Sequence, residues 1–134
     1  MNIGVLYFSR TGNTKCMAEA ISQSLKGDIH DIASIDPSLV SKFDLLIVGT
    51  PVEGFKPAKE IVDFIEKIPK IEKKKAIVFC TYVLWKAGTL NSLASKLAKK
   101  GYKTILKISK KKVLPGQTDF SNNLDQIKKA IETG

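Results

Sequence analysis

The 134-residue chain reads as an α/β protein, a doubly wound, five-stranded parallel β-sheet with helices on both faces. Strand-like and helix-like segments alternate along it with short connections, and no repeat or linker interrupts them. Its inner strand candidates, Leu45-Leu46-Ile47-Val48 and Ala76-Ile77-Val78-Phe79-Cys80, are continuous apolar runs. Such runs suit strands buried on both faces, the condition of a parallel sheet covered by helices. Strand–helix–strand units cross over right-handed and so lay helices on both sides of the sheet. A chain of this length suits one domain, residues 1–134, burying roughly two-thirds of its unfolded surface.

Met1 to Phe8 is the first strand candidate. A helix from about Thr14 to Lys26 follows, with Met17, Ala18, Ile21 and Leu25 as its apolar stripe and Gly27 ending it. Asp28 to Ala33 has the alternating character of an edge strand. Asp36-Pro37 supplies an N-cap and a first helical residue for a short helix with Leu39, Val40 and Phe43 inside. After the strand Leu45–Val48, the segment Gly49 to Lys56 reads as an irregular loop. Pro57 opens the next helix, whose core face is Ile61, Phe64, Ile65 and Ile68, and Pro69 stops it. Lys75 to Thr81 is the fourth strand, and Leu90, Leu93, Ala94 and Leu97 mark the helix that Gly101 closes. Thr104 to Ser109 is a second edge-like strand, and Leu124, Ile127 and Ile131 mark the last helix.

The formal charge of +9 is uneven, with seven Lys/Arg against nine Asp/Glu in residues 1–67 and fifteen against four in residues 68–134. Lys73 to Lys75, Lys99, Lys100 and Lys103 fall at the amino ends of strands, where a solvated face is the simplest reading. Arg10, Lys56, Lys86 and Lys110 to Lys112 fall at the carboxyl ends, where they could steer an acidic partner. Neither aromatic interleaving nor a recognised motif supports nucleic-acid binding. No apolar run approaches ~20 residues, and no secretory signal opens the chain, so a cytoplasmic protein without membrane insertion is expected. Cys16 and Cys80 lack close spacing and there is a single histidine, which argues for free thiols and against a metal site. Cys80 reads as core filler, Cys16 as packing, and His30 as an edge-strand residue without chemistry.

Ser9-Arg10-Thr11-Gly12-Asn13-Thr14 joins the first strand to the first helix. A helix N-terminus presents unpaired N–H groups and roughly +0.5 of a charge, so a polar loop there is suited to a phosphate. Ser9, Thr11, Asn13 and Thr14 add side-chain donors, and Gly12 permits close backbone approach. An ordinary capped turn prefers the same residue types, but it uses fewer of them. No Gly-Lys-Ser/Thr triplet follows, which excludes a Walker A loop, and a single glycine excludes the dinucleotide fingerprint. Arg10 and Lys15 could favour the phosphate electrostatically.

Ser-x-Thr-Gly-Asn-Thr directly after a first strand resembles the FMN phosphate loop of flavodoxins. Gly49-Thr50-Pro51-Val52, leading to a proline-started helix, and Phe79-Cys80-Thr81-Tyr82, followed by Gly88, resemble the second and third flavin loops of that family. The resemblance runs in order along essentially the whole chain. It implies strand order 2-1-3-4-5, with the ligand beyond the carboxyl ends of the strands at the switch point. Receiver domains share the topology but need acidic residues where this chain has Tyr7-Phe8-Ser9 and an aspartate within Val48-Gly49-Thr50.

The resemblance makes FMN the expected cofactor. The expected binding residues are Ser9, Arg10, Thr11, Gly12, Asn13 and Thr14 in the first loop, then Thr50, Pro51, Val52, Glu53, Gly54 and Phe55 in the second. Thr81, Tyr82, Trp85 and Gly88 complete the third. Phe55, Tyr82 and Trp85 are the available flat walls for an isoalloxazine ring. Tyr82 could instead plug the sheet end, and Trp85 suits a partner as well as a flavin. In flavodoxins a peptide such as Glu53-Gly54 turns its carbonyl toward N5 when the flavin gains a hydrogen. Departures from the family pattern stand out, among them the lack of the acidic cluster common after strand four in long flavodoxins. Glu53 replaces a usual Trp or Tyr, Val83-Leu84 replace glycines common in short relatives, and the chain is basic where most flavodoxins are acidic.

The function so implied is electron transfer between redox partner proteins through semiquinone and hydroquinone states of FMN, with no catalytic residue of the protein's own. Two alternatives remain open at this point. One is an FMN oxidoreductase of the quinone-reductase or protoporphyrinogen-oxidase kind; the other is a basic binding module without flavin.

Overall fold

The structure is a computed structural model that describes residues 1–134. The strands are β1 (Ile3–Tyr7), β2 (Asp28–Asp31), β3 (Leu45–Glu53), β4 (Lys56–Pro57), β5 (Lys74–Tyr82) and β6 (Tyr102–Lys111). The helices are α1 (Asn13–Leu25), α2 (Lys59–Lys67), α3 (Thr89–Ala98) and α4 (Ser121–Thr133). The main sheet is parallel throughout, in the order β2-β1-β3-β5-β6, and β4 adds an antiparallel pairing to the end of β3. Counting only the parallel strands, this is the expected order 2-1-3-4-5.

Alternation along the buried strands divides the core between the two faces. Leu6, Leu46, Val48 and Val78 point to one side, where they meet Ile61, Phe64 and Ile65 of α2 and Leu93 and Leu97 of α3. Val5, Ile47, Ile77 and Phe79 point to the other, against Met17, Ala18 and Ile21 of α1 and Ile127 of α4. A strand that must bury both of its rows is apolar at every position, which is why these segments lack alternation. Glu60 in the first turn of α2 and Lys67 in its last complement the helix dipole.

Four expectations are corrected. The helix at 36–43 is a six-residue 3₁₀ turn, Pro37–Lys42; Asp36 caps it as expected, but Leu39 is exposed while Val40 and Phe43 are buried. Pro57 lies in β4 rather than at the start of a helix, and Ala58 is the residue that caps α2. The segment 49–56 is not an irregular loop, because β3 continues to Glu53 and turns back through Gly54-Phe55 as a hairpin. The last strand runs from Tyr102 to Lys111, longer at both ends than its apolar pattern shows. No helix is long and apolar enough to cross a membrane.

Candidate functional site

The sheet reverses its strand order between β1 and β3, and the carboxyl ends of β1, β3 and β5 open onto a cleft of about 370 Å³. Arg10, Thr11, Asn13 and Thr14 line it from the first loop. Pro51, Val52, Glu53, Gly54 and Phe55 line it from the hairpin, and Thr81, Tyr82 and Trp85 from the third loop. The sequence missed Val83, Leu84 and Val113 as lining residues. Val83 and Leu84 extend the same loop. Val113 lies beyond β6 and is carried in by a backbone bond from Lys112 N–H to the Tyr82 carbonyl at 2.8 Å.

The first loop is built as a helix entry with its donors free. Gly12, at φ 95°, is the N-cap of α1, and its N–H donates to Ser9 Oγ at 3.0 Å. The first intrahelical bond runs from Cys16 N–H to the Gly12 carbonyl. The N–H groups of Asn13, Thr14 and Lys15 therefore have no acceptor within the protein. A Cβ on Gly12 would meet nothing within 4 Å, so the space over this helix end is open. Thr14 and Thr81 share a buried hydroxyl–hydroxyl bond of 2.7 Å that pins the start of α1 to the end of β5.

The hairpin turns through two left-handed residues, Gly54 at φ 58° and Phe55 at φ 66°. That is the mirror-image turn favoured between twisted strands, in which Gly54 is at ease and Phe55 is strained. Thr50 is fully buried beneath it; its Oγ1 accepts from Ala58 N–H at 3.0 Å and donates to the Pro51 carbonyl at 2.8 Å. Its hydroxyl thus braces the hairpin's base and stays out of the cleft. Ser9, Gly12 and Gly88 are not among the residues that line the cleft, and Gly88 caps α3.

Arg10 lines the cleft and is tied to carboxylates of two other elements. Its Nε and Nη2 form a fork on Glu53, at 2.5 and 2.8 Å, and Nη2 also reaches both oxygens of Glu60, at 3.1 and 3.0 Å. The guanidinium carbon sits 4.8 Å from the Phe8 ring centre. These are the protein's two ion pairs, and both belong to Arg10. The hydrogen bond from Arg10 holds the Glu53 carboxyl below its ordinary range, and the carboxylates raise the guanidinium above its own. The Nε and Nη2 donors of the cation expected to favour a phosphate go to carboxylates. The third loop is the reverse, open and apolar: Leu84 is 70% and Trp85 65% exposed, and Phe55 faces them at 59%.

The family model described as a flavodoxin domain matches residues 4–116. An uncharacterized protein of Methanocaldococcus jannaschii is 31% identical over 130 residues, covering 90% of this chain and 86% of its own length. A flavodoxin of Megasphaera elsdenii is 30% identical over 94 residues, 64% of this chain and 68% of that protein. In three dimensions the oxidised flavodoxin 1 of Bacillus cereus superimposes with a TM-score of 0.81 at 23% identity, over 98% of both chains. The switch-point cleft and the doubly wound sheet define an α/β protein of flavodoxin-like fold. The chain belongs to the flavodoxin family, whose cofactor is FMN.

The residues present fit that group. Unclaimed amide donors beside Thr11 and Asn13 suit a phosphate, and apolar walls from Val52, Phe55, Tyr82 and Trp85 suit a flat ring.

Proposed function

We propose that this protein is an electron carrier that holds FMN in the cleft and passes electrons singly between redox partner proteins. FMN, when bound, supplies the one-electron chemistry; the chain supplies position, exclusion of water and an electrostatic setting. One observation supports this reading above the rest: Asn13 and Thr14, whose amides are free, line the same cleft as the exposed apolar walls. Thr11, Asn13 and Thr14 hold the phosphate in this reading, with Ser9 and Gly12 shaping the loop behind them. Val52, Tyr82 and Trp85 enclose the ring, and the peptide between Glu53 and Gly54 meets its edge.

The partner, in the same reading, is an acidic redox protein that docks over the cleft mouth. Leu84 and Trp85 give that mouth an exposed apolar centre. Lys56 on the hairpin, Lys86 in the third loop and Lys110, Lys111 and Lys112 at the end of β6 lie on the same side of the sheet, none of them in an ion pair. Mixing the FMN-free protein with micromolar FMN should quench flavin fluorescence at one-to-one stoichiometry. Folded protein that leaves the fluorescence unchanged would refute the proposal. Reduced holoprotein should pass electrons to an acidic plant-type ferredoxin at a rate that falls as salt rises, and the rate to basic cytochrome c should not fall in that way.

A further inference from the structure

Arg10 lies two residues before the N-cap of α1, yet its Nε and Nη2 donate to carboxylates of two other elements. Glu53 ends β3 on the cleft wall and Glu60 lies in the first turn of α2. We propose that Arg10 is a positioning residue for the hairpin end of the cleft: by forking Glu53 and touching Glu60 it holds the Gly54-Phe55 turn in place, and it contributes little to phosphate binding. The inference rests on the FMN reading above for its ligand, but not for its mechanics.

The hairpin needs such an anchor. Its ladder has two residue pairs, Val52 with Pro57 and Glu53 with Lys56, and Pro57 has no N–H to give. Its turn carries a phenylalanine in the left-handed region, a conformation that persists only where surrounding contacts impose it. Thr50 braces the base through Ala58, but at the tip no side-chain hydrogen bond other than those of Arg10 reaches Glu53 through Lys56.

Removing Arg10 also does more than delete a bond. Glu53 and Glu60 both contact Nη2, so without the guanidinium two like charges face each other across the gap and push the hairpin from α2. A lysine in place of Arg10 keeps the charge but cannot fork.

FMN and riboflavin differ by the phosphate alone, so they separate the two roles a cation here could have. Dissociation constants for both flavins should be measured on the wild type, Arg10→Ala, Arg10→Lys and Glu53→Gln. Amide hydrogen exchange at Glu53–Lys56 should be measured on the same proteins without flavin.

The expected result is that Arg10→Ala weakens FMN and riboflavin by the same factor, about fivefold, the upper range for a half-exposed forked pair. Glu53→Gln should move both flavins in the same direction. Arg10→Lys should recover only part of the loss, and hairpin amide exchange should quicken in all three variants while the urea midpoint stays nearly constant.

A loss confined to FMN would put Arg10 on the phosphate and overturn the proposal, as would unchanged exchange at the hairpin. Wild-type protein that binds neither flavin would refute the FMN reading, and the exchange measurement would still decide the anchor.

Discussion

Cys16 and Cys80 look alike in the sequence and behave as different chemical groups in the fold. Cys80 is fully buried in β5, and burial pushes its thiol up to about 12, against a small opposing pull from Lys86. Cys16 lies half-exposed on α1. A thiol reagent at pH 8 should therefore modify one cysteine in the folded protein and two in concentrated urea. The unfolded chain gives up the Cys80 proton near an ordinary pKa and the folded chain only near 12. This residue's contribution is thus intact below about pH 8.5 and declines as pH rises above it. The declining component should be missing from the urea midpoints of Cys80→Val. Burial of Cys80 was legible, because it sits in an unbroken apolar run. The partners of Arg10 were not legible, since Glu53 and Glu60 are 43 and 50 positions away. Val113 was equally hidden, because nothing in Lys110 to Lys112 before it or Leu114-Pro115 after it marks it for the cleft.

Helices and inner strands could be read because a buried face imposes a period or an unbroken run on its own residues. The hairpin between β3 and β4 could not. Glu53-Gly54-Phe55-Lys56 lacks the Asn-Gly or Asp-Gly signature of its turn type, and Phe55 takes its φ of 66° under tertiary constraint. Pro57 misled for a related reason. A proline before an amphipathic stretch reads as the first helical residue, but in a two-residue edge strand its missing N–H is equally harmless. Gly49 is legible only with the neighbouring strand in view. A Cβ there would lie 2.0 Å from the tip of the Phe79 ring, which is fully buried and cannot yield. Gly49→Ala is expected to lower the unfolding free energy by about 1–3 kcal/mol through overpacking, measured by urea titration.

Across the whole molecule, the strand order followed from the family resemblance and the edge-like character of the outer strands. The uneven charge was visible too, but its meaning needed the fold. At the amino ends of the strands, Lys74 gives its ammonium to the carbonyls of Ser41 and Phe43, and Lys100 gives its own to that of Glu66. Those two lysines act as ties between elements, a use that no local pattern reveals. The remaining lysines of β6 have a different consequence. β6 is the longest strand, pairs only with β5, and leaves its outer row of backbone donors and acceptors open over ten residues. Such a border invites a second copy to continue the sheet, and Lys103, Lys107 and Lys111 along it make that approach electrostatically costly. Replacing these three by threonine should convert a monodisperse solution into sheet-rich polymers that light scattering and thioflavin binding detect. The positive charge of this protein would then serve to keep its copies apart.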